Sequence, residues 1–312
     1  MAKRSRRAAR ERPGPAGFLV VDKPPGWTSH DVVEAARSWL GTRRVGHLGT
    51  LDPLATGVLP LAVREATKLV PFLERGTKVY AGAIRLGVAT DTLDAEGEVV
   101  ARHSGPLPAE ESVRAELAGF VGEIEQLPPM FSAVKQRGVP LHRLAREGKR
   151  VERSPKRVRI ERLDLLKYAA PDVEIEIVCS TGTYVRALAA DLGERLGCGA
   201  HLASLRRTRS GPFTEAQSAG EALLAREAAA GRIEARLVPP VNALAFPAIR
   251  LSPSELERVL HGGEIPAPDA VPAPGSRISA LDPAGELVAV MEVRPGHRLA
   301  PLRVLRSLAP TA

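Results

Sequence analysis

Between Val173 and Cys179 apolar residues alternate with acidic ones, Val-Glu-Ile-Glu-Ile-Val-Cys. Successive side chains of a strand point to opposite faces, so this segment reads as a period-2 strand with an apolar face and a charged face. Thr181-Gly182-Thr183 then leads into a helix whose core stripe is Val185, Leu188, Ala189, Leu192 and Leu196, with Gly197 ending it. The same grammar opens the chain. Gly17 to Val21 reads as a short buried strand that stops at Asp22-Lys23-Pro24-Pro25-Gly26. A helix follows, capped by Thr28 or Ser29, with Val32, Val33, Ala36, Trp39 and Leu40 as its stripe and Gly41 at its end. A strand over Tyr80 to Leu86, an amphipathic helix over Pro108 to Phe120 and a helix-like stretch from Glu221 to Ala235 continue the pattern, which points to an α+β fold.

From Thr42 to Gly57 periodicity is lost, and Gly, Pro, Thr and His predict a long loop of the kind that carries function. Past Glu221 to Ala235, Pro239, Pro240 and Pro247 break the chain, which places a domain boundary near residue 248. Beyond it we expect a helix over Ser254 to Leu260, a Pro/Ala-rich loop over Pro266 to Gly275, and strands at Arg277 to Leu281, Glu286 to Val293 and Leu302 to Leu305. The expected organisation is a basic, disordered arm over residues 1–16, a main domain over 17–247 and a small β-rich domain over 248–312.

With 312 residues, 44% of them apolar, the chain can bury a sizeable core, and its net charge of +8 suits a polyanionic partner. Six cations crowd the first twelve residues. A second basic run spans Arg143 to Arg162 and includes Arg146, Lys149, Arg150, Arg153, Lys156, Arg157 and Arg159. Nucleic acid is the expected partner, with affinity falling steeply as salt rises. Cys179 and Cys198 form no Cys-x-x-Cys pair and have no histidine at zinc-finger spacing, so neither a disulfide framework nor a metal is indicated. No apolar run approaches a membrane span, and the basic N-terminus is followed by Gly-Pro, not by the apolar core of a signal peptide. A reduced, cytoplasmic protein is expected. There is no Walker loop and no Gly-x-Gly-x-x-Gly after a strand, which argues against a nucleotide cofactor.

The run from Gly46 to Gly57, Gly-His-Leu-Gly-Thr-Leu-Asp-Pro-Leu-Ala-Thr-Gly, gathers small residues around one carboxylate, Asp52, and one imidazole, His47. Pro53 biases Asp52 toward an extended conformation, so a stiff loop can present its side chain into a cleft. Taken alone, Asp-Pro is most often an ordinary turn. This run, however, resembles the signature loop of the TruB family of bacterial pseudouridine synthases. It is accompanied in order by Gly17 to Pro24, Glu65 to Lys68, Leu86 to Gly97, Pro128 to Lys135, Cys179 to Arg186 and Asp191 to Arg207, each similar to a family motif.

That resemblance implies a mixed, largely antiparallel sheet with flanking helices, followed by a small β-rich, PUA-like RNA-binding domain. It implies isomerisation of uridine 55 in the T arm of tRNA by a monomer that needs no cofactor or metal. Asp52 would be the carboxylate that attacks ribose C1′ or the uracil ring, its pKa kept low by a neighbouring cation assigned to Arg186. Tyr80 would stack on the uracil and assist loss of the C5 proton. Tyr184 would lie against the flipped base, Leu205 would contact the nucleotide, and His47 would meet the disturbed loop bases. Lys23 and Lys68 would meet phosphate or brace the loop, while Arg206, Arg207 and Arg209 would join the basic run in holding the tRNA backbone. The rival readings are a non-catalytic RNA-binding or tRNA-folding factor and a guide-dependent synthase subunit. Leu48, Arg64 and Phe131 depart from the family pattern and place local hydrogen bonds in question.

Overall fold

Phe18, Leu19, Val20 and Val21 are all buried because the strand they form, Gly17–Lys23, is covered on both faces. Leu19 and Val21 join one core with Val32, Val33 and Ala36 of the helix Ser29–Leu40. Phe18 and Val20 join another with Phe213, Leu287, Val290 and Leu305. The first helix forms as its sequence predicts. Thr28 and Asp31 make a reciprocal capping box, and Gly41 closes the helix in the left-handed region at φ 61°.

The computed structural model describes residues 13–74, 76–132, 135–136, 138–141, 143 and 151–305. Residues 1–12 of the basic arm, and Arg146, Lys149 and Arg150 of the basic run, lie outside the described residues.

A ten-stranded sheet organises the main domain. Its order is Ala219–Gly220, Gly17–Lys23, Thr56–Val63, Ala200–Ser210, Lys78–Leu86, Asp172–Cys179, Lys156–Ala169 and Gly122–Gln126, with Val45–His47 and Phe213–Thr214 attached beside it. Two pairings are parallel, Gly17–Lys23 with Ala219–Gly220 and Thr56–Val63 with Ala200–Ser210; the others are antiparallel. The mixed, largely antiparallel α+β fold implied by the sequence is the fold observed. Val173, Ile175, Ile177 and Cys179 are fully buried, while Glu174 is exposed on the opposite face. The expected helices appear as Glu110–Ala118, Val185–Arg195 and Glu221–Ala229. The last stops short of Ala235 because the chain turns at Gly231, φ 70°, into a short 3-10 helix, Ile233–Arg236.

The sheet's centre departs from expectation. His47 does not sit in open loop: Val45–His47 is a short strand paired with Leu61 to Val63. Thr56–Val63 and Ala200–Ser210 are strands, although Pro60 in one and three arginines in the other argue against central strands. They are held in close approach at Gly57, whose φ is 96° and where a Cβ would lie 2.3 Å from the Arg207 carbonyl oxygen. Arg64, which departs from the pattern the resemblance implies, adopts φ 53°. Its buried guanidinium donates to the carbonyl of Pro15 at 3.0 Å and pairs with Glu234 at 2.8 Å, which offsets that strain. Leu48 is absorbed into the second core.

From Ala248 onward the chain builds a second, five-stranded sheet in the order Ala248–Arg250, Arg277–Leu281, Leu287–Arg294, Arg298–Val304, Ile265–Pro266. The helix Pro253–Leu260, capped by Ser252 and Glu255, packs on it. This β-rich unit abuts the main sheet through Leu287, Val290 and Leu305. At the same junction the Arg277 guanidinium lies 5.1 Å from the ring centre of Phe72 and 5.9 Å from that of Phe246. Among the described residues no helix is long and apolar enough to cross a membrane.

Candidate active site

The loop bearing Asp52 is tied down on several sides. The Ser29 hydroxyl accepts from the Leu51 amide at 2.8 Å and donates back to the Leu51 carbonyl at 3.1 Å. The Pro53 carbonyl accepts from the Gly26 amide at 2.9 Å and from Lys23 Nζ at 3.1 Å. Arg207 Nη2 donates to the Gly49 carbonyl at 3.1 Å. These bonds hold the carboxylate over the sheet with 38% of its side-chain surface still open.

Arg186, in the first turn of Val185–Arg195, meets that carboxylate 134 residues away in sequence. Its Nε donates to Asp52 Oδ2 at 2.9 Å, and its Nη1 lies 3.3 Å from Asp94 Oδ2. The carbonyls of Thr92 and Phe131 accept from Nη1 and Nη2 at 2.9 and 2.8 Å. The departure at Phe131 therefore leaves this bond intact, since it is made by backbone. Arg186 is 5% exposed, so one buried cation stands between two carboxylates and fixes the angle of both. Asp94 was not among the expected site residues. Its signal was present as the last acidic residue of the Thr-Asp-Thr-Leu-Asp run. Leu93, in the left-handed region at φ 66°, turns the chain so that Asp94 faces inward.

The sequence reading expected Asp52 to be held at low pKa by its cation; the balance falls the other way. Burial pushes the Asp52 carboxyl above the ordinary 3.8, Arg186 opposes this by charge and hydrogen bond, and Asp94 adds to the rise. Tyr80 and Tyr184 are likewise raised by burial, so both phenols are protonated at neutral pH.

Asp52, Tyr80, Tyr184, Arg186 and Leu205 line a single cleft of about 240 Å³. That is several times what one water needs, so the cleft can admit a pyrimidine base. Tyr80 and Leu205 rise from the floor on adjacent strands, where Tyr80 is the cross-strand partner of Arg207 and Leu205 that of Gly82. Tyr184 is clamped by Gln126, whose side chain accepts from the Tyr184 amide at 2.9 Å and donates to its carbonyl at 3.3 Å. Nothing in the sequence around Gln126 signalled that role.

The remaining expected site residues lie outside the cleft lining. Lys23 is fully buried, its ammonium donating to the carbonyls of Pro24, Trp27 and Pro53 at 2.9, 2.5 and 3.1 Å. Burial lowers its pKa to about 8. It therefore braces the loop and has no N–H left for phosphate, which corrects half of the expectation. Lys68 is partly exposed and pairs with Glu65 at 2.5 Å, which also holds Arg44. His47 is half-buried, with burial lowering its pKa and Nδ1 unpartnered, so its imidazole is neutral at physiological pH.

Arg207 cannot hold tRNA phosphate. It is 1% exposed and donates to the carbonyls of Val58 and Gly49. Arg206 is engaged by Asp22 and Glu215, leaving Arg209 exposed, with Nε bonded to the Gly211 carbonyl. Of the basic run, Lys156, Arg157 and Arg159 stand exposed along the strand Lys156–Ala169, whereas Arg162 is paired with Asp164 and Glu176.

Comparison with known proteins identifies the family. Residues 37–185 match the TruB family pseudouridylate synthase N-terminal domain, 186–244 a tRNA pseudouridylate synthase B C-terminal domain, and 246–306 the C-terminal segment of tRNA pseudouridine synthase II. The tRNA pseudouridine synthase B of Pseudomonas aeruginosa is 43% identical over 296 residues, 94% of this chain and 96% of that one. The enzyme of the same name from Chromohalobacter salexigens is 48% identical over 248 residues, 79% of this chain and 80% of that one. Among solved structures, a chain of the archaeal box H/ACA sRNP Nop10–Cbf5 complex superposes with a TM-score of 0.69 at 27% identity, covering 93% of this chain and 86% of its own.

Proposed function

This chain belongs to the TruB family of pseudouridine synthases, and we infer that it isomerises uridine 55 in the T loop of tRNA to pseudouridine, with Asp52 as the reacting carboxylate. The observation that carries this reading is the Asp52–Arg186–Asp94 constellation opening on a cleft of about 240 Å³ walled by Tyr80 and Tyr184. The base must leave its stack to reach Asp52, at a cost of a few kcal/mol that ring contacts offset. Tyr80 and Tyr184 supply aromatic faces for it, and Leu205 an apolar contact. Asp52 then bonds to ribose C1′ or to the uracil ring, or offsets positive charge at C1′. The C1′–N1 bond breaks, the ring turns, C5 bonds to C1′, and the C5 proton is lost while N1 gains one. Atoms and electrons balance within the substrate.

Outside the cleft, Lys156, Arg157, Arg159 and the β-rich C-terminal unit would hold the T arm by phosphate contacts. Lys68 would join them from its ion pair with Glu65, and His47 would meet displaced loop bases. The protein would act as a cytoplasmic monomer. A stand-alone enzyme is favoured over a guide-dependent subunit. The relatives named for tRNA reach 43% identity over nearly the whole chain, against 27% for the box H/ACA relative.

Release of tritium from 5-tritiated uridine in tRNA by the purified protein tests the reading, because a protein that only binds RNA releases none. The same assay carries a pH signature. Asp52 works ionised and its carboxyl is raised, so kcat/KM should fall on the acid side with an inflection above 3.8. Asp94→Asn removes one of the charges raising it and should move that inflection to lower pH. An inflection at or below 3.8 in the wild type would remove Asp52 as the titrating group.

A further inference from the structure

Two cations in the floor of the cleft make no ion pair among the described residues. Lys78 and Tyr80 lie two residues apart on one face of Lys78–Leu86, and their partners on the adjacent strand are Ser210 and Arg207. Lys78 is 5% exposed, and both it and Arg207 line the same cavity as Asp52. Lys78 Nζ donates to the Ser210 hydroxyl at 2.9 Å, a neutral acceptor that uses one of its three N–H groups. Arg207 donates to the Val58 and Gly49 carbonyls at 2.7 and 3.1 Å. Among the described residues neither has a carboxylate within ion-pair distance, whereas Arg186 in the same cleft has two.

Buried charge without a counter-ion is costly, and burial has already lowered the Lys78 pKa to about 8, with Arg207 adding to the effect. A chain that keeps two such charges in its reaction chamber gains something when negative charge arrives there. The phosphates of an extruded nucleotide stay at the mouth of a cleft, since the strand continues on both sides of it. What reaches the floor is the base, and uracil is neutral until it reacts.

We propose that Lys78, with Arg207 beside it, is a catalytic residue that stabilises the negative charge carried by the uracil ring while its bond to ribose is broken. This rests on the reading of the cleft given above. When C1′–N1 breaks, the bonding pair stays with N1, and the charge spreads over the ring and its O2 and O4 oxygens. If Asp52 first adds to the ring instead, the displaced pair moves onto the same conjugated system. Either way a negative charge appears beside cations that had none to meet in the ground state, so the interaction is stronger in the transition state than in the bound substrate. C5 then donates a pair to C1′ and loses its proton, which restores a neutral ring.

Lys78→Met tests this in the full chain. It keeps length and removes the charge, and because that charge is buried and unpaired the variant should melt no lower than the wild type. On a T-arm RNA, single-turnover conversion of uridine should fall about 100-fold, while RNA affinity stays within about 3-fold. The same RNA carrying 5-fluorouridine supplies a more acidic base that needs less help to leave. Its consumption, read by mass spectrometry after nuclease digestion, should therefore fall only about 10-fold. Lys78→Arg should recover part of the rate on uridine. Equal losses on the two RNAs, or a loss of affinity as large as the loss of rate, would overturn the proposal. Lys78→Gln gives the same comparison if the methionine variant fails to fold. A wild-type protein inert on both RNAs would instead refute the family function and leave the Lys78 assignment without a reaction to serve.

Discussion

Asp52→Asn is expected to bind tRNA within a few-fold of the wild type and to convert uridine slower by about four orders of magnitude or more, the scale seen when a reacting group is deleted. The substitution preserves shape, and an asparagine oxygen can still accept from Arg186 Nε. What it removes is the negative charge that must bond to the substrate or offset charge at C1′. Stability should move the other way. The folded-state pKa of Asp52 lies above 3.8, so between 3.8 and that raised value the folded protein binds more proton than the unfolded chain. Stability associated with this group therefore falls as pH rises through that window and stays lower at neutral pH. Asparagine does not titrate, so the variant should melt no lower than the wild type at pH 7, and the difference should vanish below 3.8. Tritium release and thermal melts across pH check both halves. Turnover within tenfold of the wild type would exclude Asp52 as the reacting carboxylate.

Arg186→Met is expected to cost both activity and stability, which separates it from the Asp52 variant. Removing the guanidinium leaves Asp52, Asp94 and the carbonyls of Thr92 and Phe131 without their donor in a buried setting. Breaking a buried pair in this way typically costs about 3–5 kcal/mol, because the remaining charge is uncompensated. The Asp52 carboxyl should rise further, since Arg186 supplies the strongest influences holding it down. Conversion at neutral pH should drop by about 10³-fold or more, with the acid limb displaced to higher pH. Adding Asp94→Leu removes one of the stranded carboxylates and should restore part of the stability in urea melts, but not the turnover. Full stability in the single variant would show that the Asp52–Arg186–Asp94 constellation is not under the electrostatic tension inferred here.

Local sequence was enough for several elements, and a family resemblance for the candidate carboxylate. The first helix was legible from its apolar stripe and from Gly41 at its end, while the choice of Thr28 over Ser29 as cap came from the structure, where Thr28 pairs with Asp31. The alternation from Val173 to Cys179 specified a strand because one face there meets the core and the other meets water. The resemblance of Gly46 to Gly57 picked out Asp52, and that of Cys179 to Arg186 picked out the cation that bonds to it.

Where a charged side chain ended up was another matter. Nothing in the sequence marks Lys23, Lys78 or Arg207 as buried, since lysine and arginine usually stay in water. All three are buried, because strands far apart in the chain pair across them: Gly17–Lys23 with Thr56–Val63, Thr56–Val63 with Ala200–Ser210, and Ala200–Ser210 with Lys78–Leu86. Asp94 is bound to its partner across 92 residues by a turn at Leu93 that no periodicity announces. The raised carboxyl of Asp52 likewise follows from how tightly the chain closes around it, which depends on the whole sheet. Sequence alone decided elements such as the helix Ser29–Leu40 and the strand Asp172–Cys179, because capping and alternation are short-range matters of backbone preference and residue type, but not the central strands Thr56–Val63 and Ala200–Ser210. Tertiary structure decided which cations lose their water and which charges face one another, because burial and electrostatic pairing depend on neighbours that only long-range strand pairing supplies.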